Sequence, residues 1–205
     1  MKKVLFIVGP HASGKTYSTM QYLNENNIQD IVVVDTGPIM RQLHKSSNLE
    51  LSIDDWVFQL ENKYGKDITS KMITQEIERM ILKGNYENAI LIGFRTVETI
   101  QYVISKLQLN DFNILFVDAS LELLYSNYSS REIRNVSLDF FEVYLKKELL
   151  SGLGELKNYV LQNNNFKYFY KKTNNDSFED YILNYFGCFK SKNSTRLVKN
   201  KKRLM

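Results

Sequence analysis

Near the start of the chain, Gly9-Pro10-His11-Ala12-Ser13-Gly14-Lys15-Thr16 sets two glycines, a lysine and a hydroxyl at a spacing suited to holding phosphate. Glycines at both ends let the backbone turn tightly and bring successive N–H groups against phosphate oxygens with no Cβ in the way. Lys15 then supplies a point charge for the terminal phosphates, and the Thr16 hydroxyl is a ligand for the Mg²⁺ that accompanies a nucleotide. A helix starting at about Lys15 would add the positive end of its dipole. The plainer alternative is a glycine turn between a strand and a helix, and the context favours phosphate. An apolar β-type run, Val4 to Val8, precedes the glycines, and Tyr17, Met20, Tyr22 and Leu23 recur near helical spacing after them.

Two further charged positions follow apolar runs. Ile31 to Val34 reads as a buried strand ending in Asp35-Thr36-Gly37-Pro38-Ile39-Met40-Arg41, and Ala89 to Ile92 as another ending in Gly93-Phe94-Arg95-Thr96. Open α/β sheets bind ligands beyond the carboxyl ends of their strands, so Arg41 and Arg95 are expected to face the crevice of the glycine loop. Asp35 is alternatively the N-cap of a helix beginning at Thr36.

The elements that must position these residues alternate. Apolar spacing predicts two helices between Ile53 and Lys83, split at Tyr64-Gly65-Lys66-Asp67, with Trp56 in the core rather than serving as a stacking platform. A helix carries Val97 to Leu107, a strand runs from Phe112 to Val117 ending at Asp118, and a helix from Leu121 to Tyr128 leads to Arg131 and Arg134. Ser137 caps a helix to about Leu150, which Gly152 and Gly154 interrupt; a short helix from Glu155 to about Leu161, a strand from Phe166 to Tyr170 and a helix from Asp176 to Phe186 complete the order. Short apolar runs separated by helices predict an α/β fold with a parallel five-stranded sheet.

With 205 residues, 43% of them hydrophobic, the chain is expected to form one domain ending near 187. No run approaches the roughly 20 apolar residues of a membrane span, and the start lacks the length and cleavage site of a signal peptide. A cytoplasmic protein is therefore expected. Cys188 has no partner for an intrachain disulfide, and His11 and His44 are too few to build a zinc cluster with it. The formal charge of +4 divides unevenly: residues 187–205 carry seven Lys/Arg and no acid, leaving the preceding residues at −3. The basic end, 188–205, is expected to be a disordered tail, with nucleic-acid contact possible only there.

With these residues in place, the chain resembles the P-loop nucleotide kinases, the adenylate- and cytidylate-kinase-like enzymes and above all the small kinases related to dephospho-CoA kinase. Gly9 to Thr16 matches the phosphate loop; Asp35-Thr36-Gly37 with Arg41 looks like the acceptor-binding segment. Gly93-Phe94-Arg95-Thr96 looks like the third-strand motif without its proline, and Phe116 to Ser120 like the strand before the lid. Asn174 with Ser177-Phe178-Glu179-Asp180 is similar to the segment beside the donor adenine. The resemblance implies a three-layer fold of strand order 2-3-1-4-5, a helical acceptor-binding region at about 36–85 and a short lid at about 125–137. It implies ATP and Mg²⁺ at Gly9 to Thr16 and Asn174, the metal held by Thr16 and Asp35, and an acceptor bound by Asp35, Thr36, Gly37, Arg41 and Arg95. Lys15, Asp35, Arg131 and Arg134 would act on the transferring group. The expected activity is phosphorylation of a phosphate-bearing acceptor, a nucleoside or deoxynucleoside monophosphate; the alternatives are a dephospho-CoA-type kinase and a regulatory ATPase without a small-molecule acceptor. The chain departs from the family in having Ile92 where an Asp usually helps hold Mg²⁺, and in its few lid arginines, with Tyr125 and Asn127 where another might stand.

Overall fold

The computed structural model describes residues 3–131 and 136–187. Strands β1 (Lys3–Val8), β2 (Ile31–Asp35), β3 (Asn88–Ile92), β4 (Phe112–Ala119) and β5 (Lys167–Lys171) form one all-parallel sheet of order β2-β3-β1-β4-β5. Helices cover both faces: α1 (Lys15–Glu25), α2 (Thr36–Ser46), α3 (Ile53–Tyr64), α4 (Ile68–Gly84), α5 (Val97–Lys106), α6 (Leu121–Ser129), α7 (Leu138–Glu148), α8 (Gly154–Gln162) and α9 (Glu179–Phe186), with a π-helical turn, Leu149–Leu153, joining α7 to α8. The α/β class, the parallel sheet and its order are as expected. Among the described residues no helix is long and apolar enough to cross a membrane. The expectations for Arg134, for the rest of 132–135 between α6 and α7, and for 188–205 lie outside the described residues.

The strands are apolar on both faces because both faces are packed. Val4, Phe6 and Val8 of β1 point into a cluster with Ile77 of α4, Ile100 and Val103 of α5 and Leu156 and Val160 of α8. The alternate residues Leu5 and Ile7 join Tyr22 and Leu23 of α1 and Ile182 of α9 on the other face. Trp56 is buried, as expected of a core residue. The register sets Ile7 and Asp35 level with Ile92 on β3, so β1, β2 and β3 deliver Gly9, Thr36 and Gly93 to the same edge of the sheet.

Three elements differ from the sequence expectation. The buried stripe of α1 is Ser18, Thr19, Tyr22 and Leu23, while Tyr17 and Met20 are exposed, because the sheet takes a face one position further along. β4 runs two residues beyond Val117, to Ala119, where β5 still supplies hydrogen-bonding partners. α9 begins three residues late because the Asp176 carboxylate accepts the N–H groups of Lys172 (2.6 Å) and Thr173 (3.0 Å), closing a turn instead of entering a helix. Beyond α7 the helix is interrupted as expected: Ser151 and Gly152 leave helical geometry, Gly152 at φ +114°, before α8 starts at Gly154.

Phe6 is fully buried and meets Phe94 and Phe112 edge-on at centroid distances of 5.4 and 6.5 Å. Phe6→Ala should therefore cost about 3–5 kcal/mol in a denaturant unfolding experiment. A cost below about 1 kcal/mol would contradict this packing.

Candidate functional site

The β1–α1 loop is shaped by its neighbours before any ligand is considered. Gly9 has φ +137°, and a Cβ there would lie 2.0 Å from the Val117 carbonyl oxygen. The close approach of β4 thus demands glycine at this position, a reason distinct from phosphate proximity. Ala12 holds a left-handed φ of 63°, strained for a residue with a Cβ, and its carbonyl accepts the Asn127 Nδ2–H of α6 at 3.0 Å. Asn127, which stands where the family resemblance would favour an arginine, is thus a tether for the loop.

Lys15 opens α1, and its side chain folds back under the loop. Nζ donates to the carbonyls of Gly9 (2.9 Å) and Pro10 (2.6 Å) and to Ser13 Oγ (3.0 Å). Burial pushes the ammonium down to about 8, Glu148 and Asp35 oppose the shift, and Arg95 and Arg131 add to it. Pro10 and Ser13 therefore back the lysine. Thr16 Oγ1, one residue on, donates to Asp35 Oδ2 at 2.8 Å. The other oxygen, Asp35 Oδ1, accepts the Gly37 N–H at 2.9 Å and caps α2. Asp35 is thus the N-cap of α2 through one oxygen, while the other holds the Thr16 hydroxyl.

A cavity of about 1030 Å³ opens at this edge of the sheet. Gly9, His11, Ala12, Gly14, Lys15 and Thr16 form one side; Asp35, Thr36, Gly37 and Arg41 of the β2–α2 segment and Arg95 of the β3–α5 loop form another. Arg41 lies one helical turn beyond Gly37, its Nη1 3.4 Å from where a Gly37 Cβ would stand. α3 and α4 add an apolar wall that includes Ile53, Val57, Phe58 and Ile73, and Arg131, just past α6, reaches the cavity as well. The expected loop and both strand-end arginines thus share one space. Asn174 is not among the residues lining this cavity; it sits exposed on the turn after β5. Ile92 is buried in the sheet, and Asp35 is its partner across the β2–β3 ladder. The Thr16 hydroxyl with Asp35 Oδ2 makes an oxygen pair of the hard type that suits Mg²⁺.

Sequence reasoning missed Glu148. This residue ends α7 and is 4% exposed; Oε2 accepts the His11 N–H at 2.9 Å and Oε1 lies 3.1 Å from Arg95 Nη2. A signal was present, since Glu148 falls seven residues after the fully buried Phe141, on the same face of the helix. Its position depends on the π turn. Gly152, at φ +114°, lets that turn lie on the β3–α5 loop, where a Cβ would come within 2.6 Å of Thr96 Cγ2 and 3.1 Å of the Arg95 carbonyl oxygen. The His11 ring meets Tyr128 and Tyr144 edge-on at 5.7 and 6.1 Å, and burial holds its pKa below the usual 6.5 despite Glu148. On the rim, Lys147 of α7 bridges to Asp54 of α3 at 2.7 Å, both side chains exposed.

Two outcomes follow from this geometry. In the pH window between about 8 and 10.5, the unfolded chain keeps the Lys15 proton that the folded protein has released. Raising pH through that window therefore favours the folded state. Wild type should gain stability relative to Lys15→Met over the window, as read by urea unfolding at stepped pH; a difference independent of pH would contradict the burial of this ammonium. Gly152→Ala should lose about 1–3 kcal/mol of stability, since it meets both a left-handed backbone and Thr96. Unfolding at unchanged denaturant midpoint would show that the π turn does not press on the β3–α5 loop.

The chain matches no protein-family model and no curated protein, so the reading of the site rests on its own residues.

Proposed function

We propose that the protein is an ATP-dependent phosphotransferase of the P-loop nucleotide kinase type, acting on a phosphate-bearing acceptor, with a nucleoside or deoxynucleoside monophosphate favoured. The observation that carries the reading is the convergence of Lys15, the Thr16–Asp35 pair, Arg41 and Arg95 on one cavity large enough for two substrates. Hydrolysis of a nucleotide alone needs no second cationic clamp; transfer to another phosphate does.

In this reading Lys15 leaves the carbonyls of Gly9 and Pro10 for the donor phosphates, and the loop N–H groups add fixed dipoles. Thr16 and Asp35 would hold Mg²⁺, which when bound would offset charge on the donor phosphates. Arg41 and Arg95 grip the acceptor dianion by bidentate contacts. Arg131 faces the terminal phosphoryl group as its bond to the donor breaks and a bond to the acceptor oxygen forms, releasing the nucleoside diphosphate. The apolar wall of α3 and α4 contacts the acceptor's base and excludes water.

One observation favours a second reading. Arg95 is already ion-paired with Glu148, which lowers its value as an acceptor clamp and suits a nucleotide-binding regulatory ATPase. A panel of ribo- and deoxynucleoside monophosphates and dephospho-CoA, assayed with ATP and Mg²⁺ for phosphorylated product, separates the two. One acceptor should be phosphorylated by wild type, with turnover reduced about 10³-fold or more in Arg41→Ala and Arg95→Ala and abolished in Lys15→Ala at unchanged circular dichroism. ATP hydrolysis indifferent to every acceptor would replace the kinase with the ATPase.

A further inference from the structure

Glu148 touches both halves of the cavity. Its Oε2 takes the His11 N–H from the loop after β1, and its Oε1 takes Arg95 from the loop after β3. A main-chain N–H in a glycine loop and a guanidinium are two donor types that hold phosphate oxygens, and here a buried carboxylate satisfies both. Charge explains why an anion stands there. Lys15 and Arg131 also reach this cavity, and among the Coulombic influences on Lys15 the one from Glu148 is the largest.

We propose that Glu148 is a positioning residue whose carboxylate stands in for a substrate phosphate. It occupies the place of the transferring phosphoryl group, between the loop and the acceptor side, and yields the His11 N–H and Arg95 when phosphate arrives. The inference rests on the phosphotransferase reading and adds to it the subsite where the two substrates meet. The exchange is mechanically open. The Arg95 side chain is half exposed, and Glu148 stands at the junction of α7 with the π turn, where Ser151 and Gly152 leave helical geometry. A phosphate entering beside the carboxylate is repelled by it at short range, so the stand-in lowers phosphate affinity while keeping Arg95 aimed inward in the empty protein.

The test is calorimetric titration of tripolyphosphate, with Mg²⁺, into the full chain and its Glu148→Gln variant, which keeps an acceptor for the His11 N–H but removes the charge. Glu148→Gln should bind about tenfold tighter or more. A merely structural glutamate predicts the opposite, because its loss would loosen the loop. Equal or weaker binding by the variant, with wild type binding, overturns this inference and leaves the phosphotransferase reading standing; no binding by either protein overturns both. If the variant does not fold, wild type decides alone. A crystal structure with a non-hydrolysable ATP analogue should show Glu148 parted from the His11 N–H, and retention of that contact beside bound phosphate overturns the stand-in.

Discussion

Burying the Lys15 ammonium is the constraint on which the rest of this edge of the sheet depends. A cation removed from water must be hydrogen-bonded and offset by charge, or it gives up its proton. The loop supplies the hydrogen bonds through the carbonyls of Gly9 and Pro10 and the Ser13 hydroxyl. Asp35 and Glu148 supply the countercharge from two other segments. The lysine is still strained toward neutrality, and in the proposed reading an incoming polyanion would relieve that strain.

The parallel sheet makes the convergence possible. Strands of one direction release their chains at the same edge, so segments far apart in sequence, after Val8, Asp35 and Ile92, open side by side. The two-sided core then fixes the strands. β1 packs alternate residues against α4, α5 and α8 on one face and α1 and α9 on the other. A slip of one residue in register would exchange the faces and move every loop at the edge.

Glycine placement shows how closely the parts are fitted. Gly9 yields to the Val117 carbonyl and Gly152 to Thr96, so β4 and the π turn each press on a loop that lines the cavity. Strain at Ala12, held by Asn127, belongs to the same pattern: local conformations that cost energy persist because several neighbours determine them at once.

The linear sequence by itself determined the elements and the principal cations. Continuous apolar runs marked strands buried on both faces, helical spacing marked α3, α4 and α5, Ser137 marked the start of α7, and the glycine-lysine-threonine pattern with Arg41 and Arg95 marked the edge that matters. These are local signals, carried by neighbours within a turn or two of the chain. Tertiary structure decided what depends on distant partners. It chose which stripe of α1 is buried, turned Asp176 into a loop-closing acceptor rather than a helix residue, and gave both oxygens of Asp35 separate partners. Above all it placed Glu148 against His11 and Arg95, across sequence separations of 137 and about fifty residues. A charged residue on a buried helical face has no local explanation; its reason is a countercharge contributed by another segment, and only the folded chain brings the two together.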